Sequence, residues 1–182
     1  MRLVDQGWKA ELLDCAQAAD GPITIVCPFV KQATLDGFLR AISPAHEVRL
    51  LTRFNLRDAA AGATDLAALR QILDRGGPVR GVYGLHAKVY VFGTVRAVVT
   101  SANLTARGVG KNKEFGCVSG QADFVGSCAQ YLSSAARGDF GHGWRAIPLW
   151  NGGFRSCGPA GSRVGLDTRF AQNPVRVVDA VV

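Results

Sequence analysis

Residues 85–116 read LHAKVYVFGTVRAVVTSANLTARGVGKNKEFG, and the fold of the whole chain turns on them. Two short apolar runs, 87–92 and 96–100, are joined by a turn containing Gly93. They predict a pair of antiparallel strands, because so short a link cannot carry a parallel crossover. Successive side chains of a strand face opposite ways, so His86 and Lys88, two positions apart, are expected on one side. Ser101 and Asn103, again two apart, follow the second run. With the runs as neighbours, an imidazole, an ammonium, a hydroxyl and a carboxamide gather at one end of a sheet. That set suits a phosphate: Lys and Asn donate hydrogen bonds to its oxygens, while a neutral imidazole can attack phosphorus.

Upstream, helical and strand patterns alternate. Over 4–19, Trp8, Leu12 and Cys15 or Ala16 share one face of an amphipathic helix, which Asp20-Gly21-Pro22 stops. Residues 22–30, PITIVCPFV, are almost continuously apolar, as in a central strand covered on both faces. A helix is expected over 31–41, with Leu35, Phe38 and Leu39 inward, and a second strand over 48–52. Residues 58–64 read as a loop, 65–74 as a helix ended by Gly76-Gly77-Pro78, and 79–83 as a third strand leading into His86. Beyond the hairpin come a flexible loop at 108–113, a strand over 114–119 and a helix over 124–136. Glycines then interrupt the chain, leaving short possible strands at 144–149 and 175–182. The alternation predicts an α/β fold, a mixed β-sheet flanked by helices on both faces, in a single domain over 1–182. Arg53 sits at the carboxyl end of the second strand, where ligands of open α/β sheets gather, and is a candidate for binding substrate phosphate.

A His-x-Lys pair alone is common, so spacing carries the weight. His86-x-Lys88 is followed 15 positions after His86 by Ser101 within Thr100-Ser101-x-Asn103, then by Asn112-x-Glu114 beyond a Gly-rich loop. This pattern resembles the phospholipase D superfamily signature, HxKxxxxD followed by GSxN and a downstream acidic residue. The words TRFN (52–55), LHAKVYVF and SANLT are most similar to its nuclease-like branch, which includes restriction endonucleases. Two positions depart from the signature: Gly93 stands where it has Asp, and Thr100 where it has Gly. The resemblance implies a phospholipase D-like α/β sandwich and phosphodiester cleavage that needs neither metal nor cofactor. It further implies a site assembled from two motifs, one His forming a phosphohistidine and the other protonating the leaving group. With one motif per chain, a two-fold homodimer supplies the second. The roles carried over are His86 as nucleophile, Lys88 and Asn103 as the phosphate cradle, Ser101 as an orienting hydroxyl and Glu114 as the group that holds a His ring. His46 and His142 fall outside the motif and read as structural or exposed.

Composition narrows the partner. The chain has 182 residues, enough for one real core, and 48% hydrophobic against 19% charged residues fits a soluble globular class. With 21 Lys and Arg against 14 Asp and Glu, the formal net charge is +7, which favours a polyanionic partner such as nucleic acid, and the nuclease-like resemblance implies DNA. Five cysteines without CxxC spacing signal neither a zinc site nor a disulfide framework and point to a reducing, cytoplasmic setting. The first residues lack the apolar run of a secretion signal, and no stretch approaches the roughly 20 apolar residues of a membrane span. Two other readings stay open: a phospholipase or other phosphodiesterase using the same site, and a catalytically silent nucleic-acid-binding module.

Overall fold

The computed structural model describes residues 1–137 and 147–149. Among these residues, eight strands form one mixed sheet in the order β1-β7-β6-β5-β2-β3-β4-β8. β2 (Ile23–Val26), β3 (Val48–Thr52) and β4 (Val79–Gly81) run parallel. β5 (Val89–Phe92), β6 (Arg96–Thr100) and β7 (Gly116–Ser119) follow as antiparallel neighbours beside β2. β1 (Arg2–Val4) lies against β7 and β8 (Ile147–Leu149) against β4, both antiparallel.

Strand register decides which side chains meet which helices. Leu50, Ile25, Tyr90, Val98 and Val118 stand in one row across β3, β2, β5, β6 and β7. They join Trp8 and Leu12 of α1 (Trp8–Gln17), Leu35 and Phe38 of α2 (Gln32–Arg40), and Leu69 and Ile72 of α4 (Leu66–Asp74). Val109 of α5 (Ala106–Gly110) completes that side. Residues one step along, Val26, Leu51 and Val89, face the other way and meet Val125, Cys128, Leu132 and Ala135 of α6 (Ala122–Arg137). The sheet is therefore covered on both faces, as the alternation of apolar patterns predicts. Each fully buried large side chain, such as Phe92 or Leu50, contributes roughly 2 kcal/mol through removal from water.

Several elements differ from the sequence expectation, each for a local reason. The expected helix over 4–19 begins only at Trp8, because residues 2–4 pair with β7 as an edge strand. The apolar run 22–30 is strand only to Val26: Pro28 has no N–H to give a ladder, although Cys27 N–H still bonds Leu51 O at 3.0 Å. Within the expected loop 58–64 lies part of a short helix, α3 (Leu56–Ala60). Asn55 caps it, its side chain accepting a 2.7 Å bond from Asp58 N–H. The expected loop 108–113 likewise holds the end of α5, capped by Thr105, whose hydroxyl accepts from Gly108 N–H at 3.0 Å. The third and the last motif strands are shorter than expected, 79–81 rather than 79–83 and 116–119 rather than 114–119. Of the possible strands at 144–149 and 175–182, only 147–149 lies within the described residues; His142 and Cys157 lie outside them.

Candidate active site

The topology brings five chain segments to one end of the sheet. They are the carboxyl ends of β2, β3 and β6 and the amino ends of β5 and β7, because β5 and β7 run opposite to their neighbours. From these ends come Phe29, Arg53, the pair His86 and Lys88, the pair Ser101 and Asn103, and Glu114. Each backbone leaves its ladder there, so side chains need not alternate strictly.

His86 and Lys88 precede β5, which starts at Val89 rather than at the expected Ala87. Their side chains nevertheless meet. Lys88 Nζ donates to His86 O at 2.7 Å and lies 3.4 Å from both ring nitrogens. The two differ in solvent access: His86 is exposed, while Lys88 is buried. An exposed imidazole can reach a phosphodiester, and a buried ammonium beneath it presents charge in a poorly screened setting. Burial pushes Lys88 below the ordinary lysine range; the Glu114 carboxylate opposes this shift, and Arg53 adds to it. Lys88 O accepts from Thr100 N–H at 3.1 Å, which ties the His-Lys segment to the start of the Ser-Asn segment.

Ser101 and Glu114 form a direct pair, the Ser101 hydroxyl donating to one Glu114 oxygen. The other oxygen accepts from Asn112 Nδ2 at 3.0 Å. Main-chain bonds lock these segments together: Ser101 N–H donates to Phe115 O and Phe115 N–H to Ser101 Oγ, both at 3.0 Å. The resemblance gives Glu114 a His ring to hold; within one chain its partners are Ser101 and Asn112, and His86 is not among them.

Arg53 reaches the same end of the sheet but is already engaged. Its Nε donates to Asp58 at 2.6 Å and its guanidinium lies 4.6 Å from the centre of the Phe29 ring. That hydrogen bond, with help from Asn55, holds the Asp58 carboxyl below the usual carboxylate range. Asp58 and Phe29, not singled out in the sequence, thus fix a candidate phosphate ligand. A cation offset by a carboxylate binds anions less strongly than a free one.

The two departures from the signature have structural explanations. Gly93 has φ 58°, and a Cβ there would lie 1.8 Å from Asp20 Oδ1. Asp20, arriving from the α1–β2 link, accepts from Thr94 N–H at 2.7 Å and from Thr94 Oγ1 at 2.5 Å. A carboxylate is thus supplied from another segment, next to where the signature places its own. Thr100 is buried, and its hydroxyl accepts from Ala102 N–H at 3.1 Å. It stands opposite Gly116 in the ladder, where a Cβ would lie 2.6 Å from Thr100 Cα. Glycine at 116 is what lets the two backbones approach so closely there, and the Thr100 hydroxyl holds the main chain one residue before Asn103.

Asn103 is half-buried, and behind it lies Cys27, completely buried and 3.6 Å from Asn103 Oδ1. An apolar run gives no sign that one of its members touches a site 76 positions away. His46, expected to be structural or exposed, places Nδ1 3.2 Å from Gly21 O at the opposite end of the sheet. A cleft of about 770 Å3 also opens at that far end, lined by Asp20, Thr24, Arg49, Arg80 and Thr94 among others. None of the candidate site residues lines it.

Comparisons with known proteins agree with this geometry. Residues 12–135 match the family model described as cardiolipin synthase, PLD-like domain. Among solved structures, the chain is similar to Nuc from Salmonella typhimurium, a phospholipase D family member, with a TM-score of 0.65 and 18% identity over 85% of this chain and 99% of that one. It is also similar to NucT from Helicobacter pylori, with a TM-score of 0.60 and 12% identity over 80% and 98% of the two chains. Phosphatidylserine synthase from Haemophilus influenzae Rd KW20 gives a TM-score of 0.59 and 13% identity over 72% of this chain and 36% of that one. No curated protein matches the chain. At these identities the structural likeness speaks for the fold.

Proposed function

The chain belongs to the phospholipase D-like family, and from that premise we propose that it is a phosphodiesterase that cleaves DNA through a phosphohistidine at His86, in a site shared by two copies. The observation that carries the reading is the contact of exposed His86 with buried Lys88, held beside the Ser101–Glu114 pair. Three needs must be met when a phosphodiester is cut: a nucleophile, a proton donor for the leaving oxygen, and donors for charge developing on phosphorus. His86 is the nucleophile, attacking phosphorus as its ring nitrogen forms the new bond and the leaving oxygen departs. Lys88 and the Asn103 carboxamide donate to the non-bridging oxygens. The second copy's imidazole gives its proton to the leaving oxygen, then takes one from the water that releases the phosphoryl group.

Among the described residues, His86 is the one imidazole at this end of the sheet, so a two-fold pair completes the set. Glu114, bonded to Ser101 and Asn112 in its own chain, is left to meet a ring from the second copy. Nucleic acid is favoured over lipid by the net charge of +7 and by the names of two structural neighbours, Nuc and NucT. No helix among the described residues is long and apolar enough to cross a membrane. The family model's description and the synthase neighbour favour a lipid reading as the second choice.

The deciding experiment incubates purified protein, in EDTA, with labelled single- and double-stranded DNA and, separately, with phosphatidylglycerol vesicles. Cut DNA and intact lipid are expected. Release of lipid headgroup with DNA left whole would establish the lipid reading instead.

A further inference from the structure

A buried thiol unused by the proposed chemistry stands directly behind the phosphate cradle. Cys27 continues β2, is fully buried, and packs against the segment that carries Ser101 and Asn103. Its sulfur accepts from Leu104 N–H at 3.2 Å, and its S–H faces two acceptors, Phe29 O at 3.1 Å and Asn103 Oδ1 at 3.6 Å. Tyr90, also fully buried, steadies the same segment by donating to Ala102 O at 3.2 Å. Burial pushes the Cys27 thiol up, so it keeps its proton and remains a donor.

A carboxamide has two unlike ends, and only the NH2 end can donate to phosphate. We propose that Cys27 is a positioning residue: its S–H holds the Asn103 carboxamide oxygen inward, so that the Asn103 NH2 faces a bound phosphate. The inference rests on the reading that this site holds a phosphate group. The Asn103 atom that meets the sulfur is Oδ1, at 3.6 Å, and the thiol proton is what an amide oxygen can accept. The Leu104 bond fixes the backbone one residue beyond Asn103, which sets where the carboxamide starts. An aliphatic side chain in place of Cys27 would fill the same space, yet leave Leu104 N–H and the Asn103 oxygen without their buried partner.

The test follows inorganic phosphate rather than turnover. Amide NMR of the full chain labelled with 15N monitors the Asn103 side-chain NH2 during phosphate titration, for the unchanged protein, Cys27→Ala, Cys27→Ser, Asn103→Ala and the double variant. Phosphate should shift the Asn103 NH2 signals in the unchanged protein. Cys27→Ala should weaken phosphate binding about tenfold, the worth of one buried hydrogen bond, and Cys27→Ser should recover most of the loss. The double variant should bind no more weakly than Asn103→Ala, because the thiol acts through Asn103. A role in packing alone would instead give additive losses, and additivity overturns the inference. So does unchanged phosphate affinity in Cys27→Ala, or an Asn103 NH2 that does not respond to phosphate. If Cys27→Ala fails to fold, the comparison of Cys27→Ser with Cys27→Val decides: affinity kept in both overturns the inference, and loss in Val alone supports it. Uncut DNA together with a normal phosphate response would defeat the nuclease reading while supporting the placement of Asn103.

Discussion

Lys88 Nζ sits 3.4 Å from both nitrogens of the His86 ring and 2.7 Å from the His86 carbonyl, so one buried cation underlies the exposed imidazole. The contact ties the pH behaviour of the site to a single group. Burial lowers the Lys88 pKa from the ordinary 10.5, so the ammonium is lost at lower pH than in a free lysine. Below the folded pKa both folded and unfolded chains hold the proton. Between it and 10.5 only the unfolded chain does, so this group's contribution to stability rises with pH across that window. Activity moves the other way. The rate of DNA cleavage should fall on the alkaline side at a pH below 10.5, and Lys88→Met should lower it about 100-fold, or about 3 kcal/mol, where Lys88 is charged, with the gap closing on the alkaline side. A pH–rate profile of both proteins checks this.

Restoring the signature residue at position 93 should harm the protein. Gly93 has φ 58°, and Asp20 already fills the space a Cβ would need. Gly93→Asp should lower stability by about 2 kcal/mol or more, from left-handed backbone strain and the meeting of two carboxylates. Urea unfolding of the two proteins side by side measures it. The companion change Asp20→Ala, which removes the acceptor of both Thr94 bonds, should relieve part of the loss in the double variant.

The Ser101–Glu114 pair should matter to the reaction more than to the fold, since both groups are at least partly exposed. Ser101→Ala removes the donor to Glu114 and the acceptor of Phe115 N–H. Cleavage is expected to fall about tenfold with little change in thermal midpoint, because a partly exposed hydrogen bond is readily replaced by water. Activity assays paired with thermal melts separate the two effects.

The net charge of +7 should make DNA binding fall steeply with salt, because each phosphate contact releases condensed counterions. A plot of log affinity against log salt for an inactive His86→Ala chain should slope downward by several units. A flat plot would point to a small uncharged or singly charged substrate.

Much of this was legible in the sequence because regular patterns record it. The alternation of apolar runs predicts the mixed sheet, and the spacing of His86, Lys88, Ser101 and Asn103 predicts that those four share one end of it, while Glu114 comes from the family resemblance. What stayed hidden depends on contacts between distant segments. Cys27 reads as another apolar residue of a buried strand, and nothing local marks its reach to Asn103. Asp20 looks like a helix stop, yet its carboxylate explains why position 93 must be glycine. Arg53 looks free at a strand end, and only the fold shows Asp58 and Phe29 engaging it. The short helices α3 and α5 leave no periodicity in five residues, and the only local signal for them is the capping residues Asn55 and Thr105.

The most direct measurement stops the reaction of purified protein with end-labelled DNA during turnover and locates the label on the digested chain by mass spectrometry. A nucleotide joined through phosphorus to the His86 ring, formed equally in EDTA and absent from His86→Ala, is the expected result. Cleavage that proceeds at full rate in His86→Ala, or an adduct carried by any other residue, would contradict the assignment of His86 as the nucleophile.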